Sequence, residues 1–560
     1  MTVQEPFAGL RAAFGREPEA WLVADFARER PAAGRMAAAT SHPLASWAAL
    51  GVMRDGGSAV DAAVAAQAML TLVEPSASGI GGGAILLLAG AGGVRAFEGI
   101  SAAPSRVTDR LTRDFDGRTI PADRVTFGGR TVGVPGALRA LELAHRAAGR
   151  LPWARLFAPA VEAAEAGVPV SPHLAAKLGE APLMRGETLA STLWCAGGRV
   201  LPVGSVFRNP ALAATLRLIA EGGADAFYSG PLAERIVAAA AADLFPGTLS
   251  LADLAAYRAV ERAPVRFAFN GWQIMTGPPP AMGGTAVGQI LGMAARLGVT
   301  TLPETPTKEV LHVLAECGRV ARADRAIFGD PEAMTHAPEA ALDDAYLDTR
   351  ARLIDRRRVA PSYIPGLGPE AADRTLGGSM TSHLAIADGF GNVVSMTTTI
   401  NKNFGSNVSV GGFYLNDVLT NFSDPPTQGG VVLANALAPG RRPRTTFAPT
   451  LVLDAGGRVI AAIGAGGGHR IIGFVANFLL RLAGGARDPQ AMLGAPHALN
   501  WHGITEVETV WSAQAAALAA DGHYVIRRRM DAGAQALVFA DDQVLAGADP
   551  RRDGMAMAAW

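Results

Sequence analysis

The chain has 560 residues, 49% hydrophobic and 18% charged, a globular composition long enough for one large core or two to four ordinary domains. Fifty basic residues balance fifty acidic ones, and no Lys/Arg cluster is set among aromatics, which argues against a nucleic-acid partner. The two cysteines, Cys195 and Cys317, are too few and too far apart for a disulfide framework or a zinc knuckle.

The opening stretch "MTVQEPFAGLRAAFGREPEAWLVADFARERP" carries Arg11, Arg16 and acidic residues where a signal peptide needs an unbroken apolar run. No later stretch approaches the roughly 18 apolar residues of a membrane span, so the expectation is a cytoplasmic protein with no membrane partner. From Met36 to Gly83 the pattern is helical, with Asp61–Val73 alanine-rich and apolar at i, i+3 and i+4. The breaker run "EPSASGIGGG" follows, then the strand-like "AILLLAG". "GIGGGA" at 79–84 matches G-x-G-x-x-[GA], but a dinucleotide fingerprint follows a strand and opens a helix, and here the order is reversed. The P-loop, G-x-S-x-G and H-E-x-x-H patterns are missing too, so neither a cofactor nor a metal is expected.

Residues 136–260 read as alanine-rich helix broken by "GVPVSPH" and "FPGTLS", with a helix start at Leu249–Asp253. "PVRFAFNGWQIMTGPPPAMGGTAVGQIL" gives two strands, a proline-glycine loop and a helix. The helical stretch 306–327 holds His312 and Cys317, both read as structural because nothing nearby in sequence completes a site. Strands at 447–464 and the run "GAGGGHR" lead into the helical "IIGFVANFLLRLAGG". With strands at 84–100, 263–276, 381–400 and 447–464 between helical blocks, the reading is α+β, with helices on both faces of antiparallel sheets.

Residues 381–400 raise a chemical question. Thr381, His383, Ala385 and Ala387 alternate with Ser382, Leu384 and Ile386 in a half-buried strand pattern, and Asp388–Asn392 is a turn before the returning strand. A hydroxyl therefore opens a hairpin far inside the chain. A threonine hydroxyl is a poor nucleophile unless a base takes its proton, and an N-terminal threonine carries that base in its own α-amine. An internal Thr381 could gain the amine only if the Met380–Thr381 bond broke, through attack of its hydroxyl on the Met380 carbonyl and hydrolysis of the resulting ester.

"TSHLAIADGFGNVVSMTTTINKNFG" resembles the processing segment of the γ-glutamyltransferase (glutathione hydrolase) family, self-cleaving N-terminal-nucleophile enzymes. The resemblance runs nearly end to end. "SHPLASWAALGVMRDGGSAVDAAVAAQAMLTLVEPSASGIGGG", "TVGVPGA", "LSLADLAAY", "PPPAMGG", "ADRAIFGDP", "PGRRPRTTFAPTLV" and "GAGGGHRII" resemble the family's blocks in the family's order. It implies a four-layer αββα fold, cleaved into residues 1–380 and 381–560 that stay together as one intertwined domain. It further implies Thr381 as nucleophile, Thr399 as the second hydroxyl touching it, and Gly467 and Gly468 as the oxyanion hole. Asn401 falls in the glutamyl pocket, and Thr445 and Thr446 stand where the family has a serine pair binding the substrate carboxylate.

Two positions depart from the family pattern. Ile100 stands at its arginine and Asn421 at its aspartate, so the cation and anion that would hold an α-amino-acid zwitterion are both replaced. Arg95, Arg106 or Arg444 could supply the cation, and Asp417 or Asp424 the anion. The segment from Ser423 to Pro439 is also shorter than in members with a lid loop. The leading expectation is transfer of an acyl group from an amide, by family default γ-glutamyl amides such as glutathione, to water or an amine. The alternative is an amidohydrolase of the same family acting on a non-glutamyl acyl group, cephalosporin-acylase-like or a small-amide hydrolase; a catalytically dead binding homologue comes last.

Overall fold

Every residue of the strand Met380–Ala387 is buried, where the alternation predicts one wet face. The two faces meet different layers. Leu384 and Ile386 enter a core shared with the helix Ala59–Val73, whereas Ala385 and Ala387 pack against Leu451, Ala462 and Leu537 of a second sheet. Large side chains thus fill the helix-facing side and alanines let two sheets approach. In this computed structural model, residues 30–108, 127–180, 199–242, 245–369, 380–501 and 503–560 are described, with Leu111, Arg113, Asp116, Arg118, Ile120, Cys195 and Ala196 between them. The N-terminal stretch read above for a signal peptide lies outside these residues as far as Glu29.

Two antiparallel seven-stranded sheets stack face to face. In the first the strand order is Met555–Ala559, Met36–Thr40, Met380–Ala387, Val393–Asn401, Gly83–Gly90, Gly93–Gly99 and Val260–Arg262. In the second it is Ala32–Gly34, Gln543–Ala548, Ala534–Ala540, Val459–Ala465, Thr450–Leu453, Trp272–Thr276 and Val265–Phe269. Helices including Pro43–Arg54, Ala59–Val73 and Ala137–Ala148 cover the outer face of the first sheet, and Gly283–Arg296, Lys308–Ala323 and Ile471–Ala483 that of the second. This is the four-layer αββα sandwich.

Segments before and after Met380 alternate within both sheets. Met36–Thr40 and Gly83–Gly90 flank the hairpin 380–401, and Trp272–Thr276 pairs with Thr450–Leu453. Neither part has a complete sheet without the other.

Pattern reading errs at "MAAAT", Met36–Thr40, which is a strand inside the sheet rather than helix. Alanine has high helix propensity and carries no strand signal, so pairing with Met380–Ala387 and Met555–Ala559 decides the conformation. The strands Ala534–Ala540, Gln543–Ala548 and Met555–Ala559 were likewise not anticipated. Cys317 is a fully buried core residue. His312, isolated in sequence, is paired in space: its Nδ1 lies 2.8 Å from His523 Nε2 and its Nε2 2.8 Å from the Asp355 carbonyl. That arrangement ties a helix to a distant strand end.

The two sheets come into tight contact where His383 meets Gly464. A Cβ on Gly464 would lie 2.2 to 2.6 Å from three atoms of the imidazole, and the ring is held by Thr397 Oγ1 at 3.0 Å. Gly464→Ala should therefore lower stability by about 1–3 kcal/mol, the cost of overpacking a tight core, read as a lower urea midpoint than wild type.

Candidate active site

Strand pairing slips at the start of the central hairpin. Ser382 faces Thr398, yet Met380 faces Asn401, so one extra residue is accommodated opposite Thr381. Such a bulge takes a peptide unit out of the regular ladder and re-aims its side chain. Thr381 is 3% exposed. Its hydroxyl donates to the carbonyl oxygen of Met380 at 2.7 Å and lies 3.3 Å from Thr399 Oγ1. The Thr399 hydroxyl donates to the same carbonyl at 2.6 Å and accepts the Asn401 N–H at 2.8 Å. Two hydroxyls thus converge on the one carbonyl whose bond the sequence singles out.

The "GAGGGHR" loop comes in from the second sheet. A Cβ on Gly466 would stand 2.1 Å from the Thr381 carbonyl oxygen, so only glycine permits the approach. Gly467 and Gly468 have φ of 105° and 61°, left-handed values that favour glycine. Gly468–Arg470 form a 3-10 turn that runs directly into the helix Ile471–Ala483. The first amides of a helix have no intrahelical acceptor and carry its positive dipole end. Thr446 joins this group by donating from Oγ1 to the Gly468 carbonyl at 3.0 Å. Thr445 is held through its backbone, which exchanges hydrogen bonds with Pro280 and Met282 of the "PPPAMGG" loop.

Asn401 turns toward the loop 417–421. Its Nδ2 donates to Thr420 Oγ1 at 3.1 Å and to the Asp417 carbonyl at 3.3 Å. Next along, Asn421 is 7% exposed and its side-chain oxygen has no hydrogen-bond partner. Strand pairing sets Thr399 opposite Gly83, and Ala84 opposite Gly99. Ile100 therefore stands three strands from Thr381, about 14 Å at the usual strand spacing. It is 2% exposed and packs with Ile85, Ala281 and Phe447.

The substitute charges are placed as follows. Arg95 is bound at both ends of its guanidinium by Glu261, 2.7 Å each, at the far end of its strand. Arg106 is exposed, and Arg444 donates from Nη1 to the Arg325 carbonyl at 3.0 Å. Asp417 is fully buried and burial pushes its carboxyl up to about 6; it accepts the Lys402 N–H at 3.0 Å. Asp424 is half-buried.

Three residues that the sequence did not mark complete the surroundings. Arg552, fully buried, donates to the Thr381 carbonyl at 2.8 Å and is anchored by Asp531. Glu74 is buried at the end of the helix Ala59–Val73, and burial pushes its carboxyl up to about 8. Ser382 lies between Glu74, at 3.4 Å, and Ser78, at 2.9 Å. Arg552 is separated from Thr381 by 171 residues and sits in a turn with no periodic signal. Only the Arg–Asp–Gly composition near the C-terminus marks it, and that is too common to be a guide. His383, two residues from the nucleophile candidate, is buried, and desolvation pushes it down to about 3, so it is a neutral packing group. Among the described residues no three His, Cys, Asp or Glu side chains stand together as a metal would need.

A threonine at the start of a central strand in an αββα sandwich, with a glycine turn and a helix start beside it, defines an N-terminal-nucleophile hydrolase. The gamma-glutamyltranspeptidase family model matches residues 45–559, and the chain belongs to that family of enzymes. It is 36% identical over 542 residues to the acylase ACY 1 proenzyme of Pseudomonas sp. (strain SE83), covering 94% of each chain. It is 33% identical over 461 residues to the glutathione hydrolase proenzyme of Bacillus subtilis (strain 168), covering 79% of this chain and 76% of that one. Cephalosporin acylase from Bacillus halodurans superposes with a TM-score of 0.81 at 28% identity, covering 95% and 96%. Helicobacter pylori gamma-glutamyltranspeptidase gives 0.55 at 32%, covering 59% and 95%.

Glu74 makes a pH-dependent contribution to stability with a defined sign. Its folded value, about 8, lies above the ordinary 4.5 of a glutamate, so between these limits the unfolded chain has lost a proton that the fold retains. Stability from this group is full at low pH and is lost as pH rises through about 8. Glu74→Gln should flatten the fall in urea midpoint between about pH 5 and pH 8 relative to wild type; an equal fall in both proteins would mean that Glu74 is ionised in the fold.

Proposed function

We propose that the chain cleaves itself between Met380 and Thr381, giving parts 1–380 and 381–560, and that Thr381 then transfers the acyl group of an amide to water or an amine. The observation that carries this reading is the convergence of the Thr381 and Thr399 hydroxyls on the Met380 carbonyl oxygen.

In the first step Thr381 Oγ1 attacks the Met380 carbonyl carbon, and the Thr399 hydroxyl supports the negative charge growing on its oxygen. The C–N bond breaks, the Thr381 nitrogen takes up the hydroxyl proton, and an ester to Oγ1 remains. Water hydrolyses that ester to free the Met380 carboxylate and an N-terminal threonine. The new amine has an intrinsic pKa near 8, so part of it is unprotonated at neutral pH. It can then serve as base for the Thr381 hydroxyl. In catalysis the substrate carbonyl takes the place of Met380, and its oxyanion is received by the Gly467 and Gly468 amides. Each such donor is typically worth a factor of about 10² to 10³ in rate. The ammonium returns its proton to the leaving amine, and water or an acceptor amine releases the acyl group. The substrate is a small-molecule amide, and the two parts stay together because their strands interleave in both sheets.

For the acyl group, the reading favours one without an α-amino-acid zwitterion, the alternative weighed from the sequence. Ile100 sits in an apolar cluster with Ile85, Ala281 and Phe447, and Arg95 and Arg444 are both engaged elsewhere. The acylase relative supports this reading and the glutathione hydrolase relatives support γ-glutamyl amides, so substrate comparison is the deciding experiment.

Purified wild type should show two fragments that co-elute on native size exclusion and separate only in denaturant, the smaller beginning at Thr381 by N-terminal sequencing. Thr381→Ala should remain one chain. A small fragment starting elsewhere would overturn the choice of nucleophile.

Leaving a buried charge unpaired typically costs 2–5 kcal/mol, about 30-fold or more per lost contact. Wild-type kcat/KM for a γ-glutamyl anilide should accordingly be low. Ile100→Arg with Asn421→Asp should raise it, with Thr381 untouched. High wild-type activity that falls on Asn421→Asp would return the assignment to γ-glutamyl amides.

A further inference from the structure

We infer that the enzyme has a second binding site, a cavity for a small organic monocarboxylate whose acidic group is taken by Arg481. It lies at the far end of the helix Ile471–Ala483, about 15 Å along the axis from its first turn, and so apart from Thr381. The inference stands independently of the acyl specificity argued above.

The cavity measures about 920 Å³, and its lining includes Leu302, Pro303, Met492, Pro496 and Pro550 together with Arg481 and Arg487. That is the size and mixed character of a small-molecule site, apolar walls with a few polar groups. Arg481 is 6% exposed. Its Nη2 donates to the Pro496 carbonyl, but Nε and Nη1 have no hydrogen-bond partner and no contact with solvent. Arginine carries five N–H donors and cannot shed its charge as lysine can, so a sealed guanidinium with two vacant positions is a costly arrangement.

Glu508 favours the charge through space, but among the described residues no carboxylate hydrogen-bonds it. Glu508, the nearby anion, is already used: Arg551 donates to both of its oxygens, at 2.8 and 2.6 Å, and the His497 and Met530 amides fill the remainder. Burial, with the Arg551 charge adding to it, pushes Arg481 down to about 10. The Arg481 side chain forms part of the cavity wall, and swinging its guanidinium inward, with release of the Pro496 carbonyl, would present to a carboxylate the same Nε and Nη2 fork that Arg95 and Arg470 use on theirs. Arg487, exposed, is occupied on one nitrogen by the Leu482 and Ala486 carbonyls and keeps its charge at the mouth. Two acids, Glu304 and Asp488, also line the cavity. They repel a polyanion, which leaves a single carboxylate on an apolar body as the matching chemistry.

The test uses the whole protein, wild type in its processed form and Thr381→Ala as the single chain, with phenylacetate as probe and inorganic phosphate as comparator, by isothermal titration calorimetry. Phenylacetate should bind wild type and Thr381→Ala alike, and phosphate should bind neither. Arg481→Met should weaken phenylacetate about tenfold or more, as loss of a hydrogen-bonded charge does. Ala491→Trp fills the cavity from an exposed helix position while leaving Arg481 in place, and should also weaken it. Both variants should keep wild-type kcat on the best amide substrate, showing that they fold. Undetectable binding to wild type, equal affinity in wild type and either cavity variant, or loss of binding in Thr381→Ala would each overturn the assignment.

Discussion

One carbonyl organises this molecule. The oxygen of Met380 receives hydrogen bonds from Thr381 and from Thr399, and it can do so because the strand pairing slips by a residue between Met380 and Ser382. In a regular antiparallel ladder a carbonyl at this place would bond a neighbouring N–H, and the side chain before it would point away. The slip exchanges a backbone partner for two hydroxyls, which can also accept protons and move them. The rest of the site is built against the next peptide unit: Gly466 closes on the Thr381 carbonyl from the second sheet, and Arg552 donates to the same oxygen.

The surroundings make the arrangement stronger than the same groups would be in water. Glu74 keeps its proton and His383 stays neutral, both because burial disfavours their charged forms. Among the described residues Arg552 is the cation that reaches the Thr381 carbonyl, and Asp531 pairs with it. In such a low-dielectric pocket each dipole aimed at a growing negative oxygen acts with little screening. Among the described residues no histidine hydrogen-bonds the Thr381 hydroxyl, and the proposed base is the amine that cleavage would free.

Reaction machinery and substrate recognition occupy different strands. The proposed nucleophile and oxyanion turn depend on backbone geometry, on a bulge and on glycines that stand where a Cβ would clash or φ is left-handed. The proposed acyl pocket would depend on side chains at 100 and 421, three strands away and on a separate loop, which can change without moving Thr381. A family holding both acylases and glutathione hydrolases at similar distance from this chain fits that separation.

Much of this was legible in the residues. The hairpin 381–400, the helix Asp61–Val73 and the strands at 263–276 and 447–464 follow from periodicity and turn chemistry, which are local. The nucleophile candidate followed from a hydroxyl placed at a strand start within a run that resembles a known processing segment. What could not be read is non-local. "MAAAT" is a strand only because neighbours on both sides supply its partners, and the half-wet look of residues 381–387 conceals a second sheet on the side lined by alanines. His312 has its partner 211 residues away and Thr381 its guanidinium 171 residues away. The sequence by itself determined which groups could do chemistry, because that depends on side-chain type and on spacing within a few residues. Only the tertiary structure decided which of them meet and which are charged, because distance and burial are set by how far-apart segments pack.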